Sequence, residues 1–271
     1  MSLAFNPDTA AQCLLSHWQS GQPLGAWPAH VLADGAPVDR PQGYAVQAAL
    51  ARHASARPAV GWKIAATSEA GQRHIGVSGP LAGRLLAERV HAHGASLSMG
   101  SNRMAVAEPE FVFRLGVDLP PREQAYAQDE VMAAVDALFL GLEVPNARWA
   151  DFVSAGEARL IADNACAHEF VWGPQVPVPW RALDLSQHRV QAQVTGPARA
   201  YQRGGIGANV LGDPRRALTW LVNELSALGL TLAAGQIVTT GTCMPPLEIM
   251  AGDRVDADFG VLGQVSVSFT P

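Results

Sequence analysis

The amino-acid sequence predicts an α+β fold in which a small helical amino-terminal portion feeds a β-rich, partly rolled carboxy-terminal portion. Three observations carry the prediction. Apolar residues recur at helical spacing in two early segments, strand patterning takes over from about residue 95, and the end of the chain breaks into short alternating runs bounded by Gly or Asp. The first helix is expected over residues 8–19, with Cys13, Leu14 and Trp18 at helical spacing, and the second over 43–55, with Val46, Ala49 and Leu50 likewise. Between them, "SGQPLGAWPAHVLADGAPVDRPQG" is rich in Pro and Gly and reads as an ordered connection. A strand follows around Lys63, then a short helix that Ser68 suits as N-cap. Helices near 128–138 and 214–228 interrupt the strands beyond. The second of these has Asp213 as cap, Pro214 in its first turn, Leu218, Leu221, Val222, Leu225 and Leu228 on one face, and Gly229 as its stop. "GQIVTT", "DRVDADF" and "GQVSVSF" are the closing strands. The division is placed near residue 100, with a helical or mixed portion over 1–100 and the β-rich portion over 101–271.

Bulk properties exclude several classes. The 271 residues are 48% hydrophobic and 16% charged, enough for a sizeable core. A net charge of -5 argues against nucleic acid or an anionic membrane as partner. No apolar run reaches the roughly 18–20 residues that span a bilayer. "MSLAFNPDTAAQ" has neither the positive start nor the apolar stretch of a secretory signal, so a cytoplasmic location is expected. Cys13, Cys166 and Cys243 are odd in number and outside any C-x-x-C pattern, which fits reduced thiols.

One residue stands apart. Lys63 is the single lysine of the chain, and the other 18 basic residues are arginines. Arginine stays charged, whereas burial tunes a lysine so that it gives and takes protons. In "AVGWKIAATSEAG" strand alternation puts Lys63 on a face with Gly61 and Ala65. The residue is therefore a candidate for chemistry, against the plainer reading of a stem that snorkels to the surface.

Carboxylates supply a second candidate. In "RMAVAEPEFVFRLGVDLP", period two places Glu108, Glu110, Val112 and Arg114 on one face and Pro109, Phe111, Phe113 and Leu115 on the other. Side-by-side acids repel without a counter-charge, and Pro109 belongs at an edge or a break. A hard divalent cation fits such a pair, with Glu143 in "FLGLEVPNARW" as an isolated third acid. The competing reading has the pair solvating an edge strand while Glu143 meets an arginine. His91 and His93 form an H-x-H that zinc uses, without a third ligand at a convincing spacing. "QRGGIGANVLG" lacks the full dinucleotide fingerprint.

These segments, with "LIADNACAHEFVWG", "LAAGQIVTTGT" and "AGDRVDADFGVLGQVSVSF", resemble the 2-keto-4-pentenoate hydratase and 4-oxalocrotonate decarboxylase group of the fumarylacetoacetate hydrolase superfamily, in order and at about its spacings from residue 60 to the end. The resemblance implies a Mg²⁺ or Mn²⁺ ion held by Glu108, Glu110 and Glu143, and a catalytic Lys63. It implies a metal-dependent hydro-lyase adding water to a 2-hydroxy-dienoate or 2-oxo-alkenoate, as in aromatic meta-cleavage catabolism. Asp163 is implied as a catalytic group, with Asn164, Gly241 and Thr242 at the substrate, although Asp163 and Asn164 are equally read as loop caps. A homo-oligomer acting on a small 2-oxo acid is implied too, with association with a related decarboxylase or hydratase as a further expectation.

Two departures stand beside the resemblance. Where relatives commonly read G-V-D-x-P-D, this chain reads "GVSGPL", with Ser78 and Leu81 in place of the acids, and Cys166 stands where serine is common. Decarboxylation of an oxo diacid, C–C hydrolysis of a diketo acid with His74 as the nearest base, and a catalytically silent 2-oxo-acid-binding subunit are the alternatives. Arg73, Arg84, Arg148 and Arg159 are equal candidates for binding a substrate tail.

Overall fold

In the computed structural model, residues 5–271 are described; Met1–Ala4, part of the stretch read for a signal, lie outside. The chain begins with helices α1 (Pro7–Ser20), α2 (Ala29–Ala33) and α3 (Arg40–Ala54), then strand β1 (Gly61–Ala65), helix α4 (Glu69–Ile75) and strands β2 (Leu81–Leu85), β3 (Val90–Ala92), β4 (Ser96–Ser98) and β5 (Val106–Leu115). Helix α5 (Gln128–Ala134), strand β6 (Val135–Val144), helix α6 (Glu157–Ala162) and strands β7 (Glu169–Gln175), β8 (Arg189–Thr195) and β9 (Ala200–Ile206) follow. Helix α7 (Pro214–Ala227) leads to β10 (Ile237–Thr242), β11 (Leu247–Glu248), β12 (Arg254–Asp258) and β13 (Gln264–Thr270).

Local chemistry sets the helix ends. Asn6 and Asp39 accept hydrogen bonds from the first turns of α1 and α3, each with proline at its start, and Ser68 and Asp213 cap α4 and α7 as their sequences predict. The expected helix over 128–138 ends early. Val135–Val144 is a strand buried on nearly every residue, so it lacks the alternation that distinguishes a strand from a buried helix. The short helices α2 and α6 carry too little periodicity to be read from sequence.

Two sheets share one core. The larger runs β2-β1-β10-β5-β6-β7-β3, with β11 also on β5, and the smaller runs β4-β13-β12-β8-β9. Phe111, Phe113, Leu138 and Leu140 of the first pack against Val190, Val194, Val255 and Val267 of the second. The strands between residues 61 and 98 therefore belong to these sheets. Helices α1 and α3 form a separate cluster around Leu14, Trp18, Val46 and Leu50.

Connectivity forces the larger sheet to curl. Its end strands, β2 and β3, are joined across Leu85 to Val90, a span of at most about 18 Å, whereas seven flat strands would separate them by about 29 Å. The inner face shows the result, because Leu85 of β2 clusters with Phe139 of β6 and Phe170 of β7. On that same inner face β5 presents Glu108 and Glu110. It is a central strand, paired with β6 on one side and with β10 and β11 on the other, so the edge-strand reading of this segment is corrected. Pro109 sits at a break: the pairing passes from β10 to β11 there, and its carbonyl accepts from the Cys243 N–H at 3.2 Å.

His168 ties the helical cluster to the sheet, its Nδ1 accepting from Trp18 Nε1 at 3.0 Å. Burial, with Arg148, Arg89 and His91 nearby, pulls its pKa down to about 3, even though Glu169 lies 3.7 Å from Nε2. That is below the unfolded value of about 6.5. Its contribution to stability is complete above about pH 6.5 and is lost as pH falls toward about 3. Denaturant titrations from pH 7 to pH 4 should show a shallower loss of stability for His168→Gln than for the native chain.

Candidate active site

Strand register assembles the polar groups. Glu108 pairs with Glu143 across β5 and β6, while Lys63 pairs with Thr239, and Thr239 with Val112, across β1, β10 and β5. The three glutamates each offer an oxygen within 4.8 Å of the others. Lys63, 3% exposed, donates from Nζ to the Ala165 carbonyl at 2.9 Å and lies 2.9 Å from Glu143 Oε1. Two of its three N–H directions are committed, which leaves one for a ligand.

Each acid is held in a defined way. Glu110 Oε2 accepts from the Thr239 hydroxyl and from the Gly241 N–H at 2.8 Å. That amide is free for the carboxylate because β10 shifts register against β5 between Thr239 and Thr242. Gly241 has φ 97°, and a Cβ there would lie 2.3 Å from Thr67 Oγ1, so the position requires glycine. Glu110 Oε1 and Glu143 Oε2 are buried without any hydrogen-bond partner.

Buried, unpartnered anionic oxygens are costly unless a cation meets them. Burial, reinforced by repulsion from Glu143, raises the Glu108 pKa to about 7, and the same causes push Glu110 well above its ordinary range. Burial also raises Glu143, against the pull of Lys63. For Lys63 burial works downward, but the attraction of Glu143, Glu108 and Glu110 outweighs it and the ammonium is held above its usual value. One ammonium against three carboxylates leaves negative charge over, and the donor set is all oxygen. The triad fits a hard divalent cation.

The carbonyl that receives Lys63 comes from a strained turn. Asn164, Ala165 and Cys166 have φ of 56°, 50° and 61°, each costing about 1 kcal/mol or more for a residue with a Cβ. Side chains compensate. The Asn164 amide accepts from the Arg84 N–H at 2.6 Å and donates to the Arg84 carbonyl at 2.9 Å, closing the free edge of β2. Asp163, fully buried, accepts from the Arg148 N–H at 2.8 Å and from its Nε, while Arg148 Nη1 donates to the carbonyls of Asn146 and Ala167.

A cavity of about 1180 Å³ opens above these groups, lined by Lys63, Glu108, Cys166, Gly241 and Thr242 among others. Glu110 and Glu143 lie buried beneath it. The side chains of Asp163 and Asn164, expected at the substrate, are instead engaged behind the Ala165 turn and are absent from the cavity wall. Burial and Asp163 raise the Cys166 thiol to about 12, so it is not a thiolate nucleophile. His91 and His93 part company, the first bonding Glu169 at 2.6 Å and the second accepting from the Ser266 N–H. Among the described residues the glutamate triad is the one metal-competent cluster. Sequence reasoning missed Thr239, although "TTGT" contains it on the face of Lys63, and missed the Ala165 carbonyl, which no side-chain motif signals.

Residues 80–270 match the family model described as fumarylacetoacetate (FAA) hydrolase C-terminal. The 2-keto-4-pentenoate hydratase of Paraburkholderia xenovorans (strain LB400) is 30% identical over 265 residues, 97% of this chain and 94% of the relative. The 2-hydroxyhexa-2,4-dienoate hydratase of Comamonas testosteroni is 32% identical over 222 residues, 81% of each. In shape, the 4-oxalocrotonate decarboxylase from Pseudomonas putida G7, solved with magnesium and adipate, superposes with a TM-score of 0.83 at 23% identity over 97% of each chain. At that identity the likeness speaks for the fold.

The raised carboxylates set a pH dependence for cation binding. A cation must displace protons from groups that hold them up to about pH 7, so its affinity should fall as pH drops from 8 to 6. Calorimetric titration of the metal-free protein in buffers of different ionisation enthalpy should show proton release at pH 7.

Proposed function

Because the chain belongs to the fumarylacetoacetate hydrolase family, we propose that it is a divalent-metal-dependent hydro-lyase that converts a 2-hydroxy-dienoate, through its 2-oxo-alkenoate tautomer, to a 4-hydroxy-2-oxo acid. The observation that carries the reading is Lys63 buried against Glu143 at the floor of a cavity, beside glutamate oxygens that have no other partner. The hydratase relatives support the reaction class. Mg²⁺ or Mn²⁺ suits an all-oxygen triad, and magnesium accompanies the structurally similar decarboxylase. Glu108, Glu110 and Glu143 would hold such an ion, which would supply positive charge to stabilise the oxyanion of the 2-oxo acid.

The remaining roles belong to the chain. Lys63 Nζ holds a proton at the cavity floor, oriented by the Ala165 carbonyl and Glu143. From that position Lys63 would donate its proton to the carbon skeleton during tautomerisation. Thr239 and Gly241 keep Glu110 in place, and the Asn164 clamp with the Asp163–Arg148 pair keeps the Ala165 carbonyl aimed. Asp163 and Asn164 are thus positioning residues, and Gly241 and Thr242 form wall.

An ultraviolet and NMR assay of 2-hydroxypenta-2,4-dienoate and 2-oxohex-3-enedioate, with Mg²⁺, with Mn²⁺ and after chelation, tests the proposal. A 4-hydroxy-2-oxo acid should form from the first, and only with metal. Carbon dioxide from the second would make the chain a decarboxylase instead, and bound metal with no turnover of either would mean a changed substrate or a silent binder. Lys63→Ala should lower turnover by about 100- to 10,000-fold while cation binding persists; unaltered turnover would remove the role given to this lysine.

A further inference from the structure

The cavity holds more room than a short oxo acid needs. Its 1180 Å³ exceeds the roughly 300–1,000 Å³ that takes drug-sized ligands, so a five-carbon acid at Lys63 and the glutamates would leave most of it unfilled. The remaining wall is largely apolar, with Leu81, Met104, Phe152, Leu160, Leu211 and Met244. Leu81, 1% exposed, belongs to this wall where it meets the main core.

Cations to receive a second carboxylate are scarce there. Arg148 is buried with Asp163, Arg84 lies over Trp62, Arg159 over Trp149, and Arg73 pairs with Glu69. None of the four lines the cavity. Arg103 does; two of its five N–H groups donate to the carbonyls of Trp149 and Ala150 at 3.2 and 3.0 Å, so it is the single guanidinium on an otherwise largely apolar wall, and 2-oxoadipate is the ligand that tests it. His74 is exposed, and Glu69, also on the wall, repels an anion.

We infer that the substrate is a monoacid whose end remote from the 2-oxo carboxylate carries a bulky apolar group, a branched alkyl or an aryl substituent, received by Leu81, Met104 and Phe152. The inference rests on the 2-oxo-acid reading of the floor and adds the chemistry of the tail. A pocket of this kind gains affinity with every methylene it takes from water.

Calorimetry of the Mg²⁺-loaded protein with unreactive 2-oxo acids separates the two claims. Pyruvate should bind only with metal; relative to it, 2-oxopentanoate should bind about 15-fold and 2-oxo-4-phenylbutanoate at least about 100-fold more tightly, from about fourfold per buried methylene. Phe152→Ala should cut the phenyl-to-pyruvate ratio at least fivefold, and Leu81→Asp, if it folds, should cut it further. Metal-dependent pyruvate binding with a flat series, or with 2-oxoadipate the tightest ligand, overturns the tail assignment and leaves the floor intact. Absence of metal-dependent binding by all four overturns both.

Discussion

The structure is organised around the cost of holding three carboxylates within a few ångströms of one another in apolar surroundings. Glu108, Glu110 and Glu143 cannot all stay charged there with only Lys63 for company: burial pushes all three upward, and repulsion from Glu143 adds to it at Glu108 and Glu110. A divalent cation removes that conflict. What surrounds the triad is a set of devices that keep its oxygens pointing together: a register shift in β10, a glycine that no other residue can replace, and a threonine hydroxyl on Glu110.

The same constraint explains the lone lysine. A guanidinium would present a fixed fork and keep its charge, whereas an ammonium meets one carboxylate and one carbonyl and still has a proton to offer. The carbonyl is supplied by three consecutive left-handed residues, a conformation maintained by a clamp on the edge of β2 and by a fully buried Arg148–Asp163 pair. Strain stored at the site is balanced by polar contacts behind it. The curl of the larger sheet completes the arrangement, since it places the glutamate face inside and leaves an open cavity above it.

Much of this was legible in the amino-acid sequence. Caps and prolines marked α1, α3, α4 and α7, and period two assigned Glu108 and Glu110 to the face opposite Phe111 and Phe113. Composition isolated Lys63. The misread parts have physical causes. Val135–Val144 is buried on both faces, so its helix and strand patterns coincide. Asp163 and Asn164 are polar residues in a suggestive loop, and only coordinates show that their side chains turn away from the cavity. Thr239 acts on a carboxylate that only strand pairing brings to it, and the Ala165 carbonyl acts through a left-handed turn that leaves no side-chain signature.

Diffraction from crystals containing Mn²⁺ and a 2-oxo acid, recorded at the manganese absorption edge, tests whether the triad holds the cation beside the acid. One anomalous peak is expected within coordination distance of Glu108, Glu110 and Glu143, with the acid's carboxylate beside it and Lys63 Nζ turned to the ligand. A peak elsewhere, or no peak while the acid sits in the cavity, would contradict that placement.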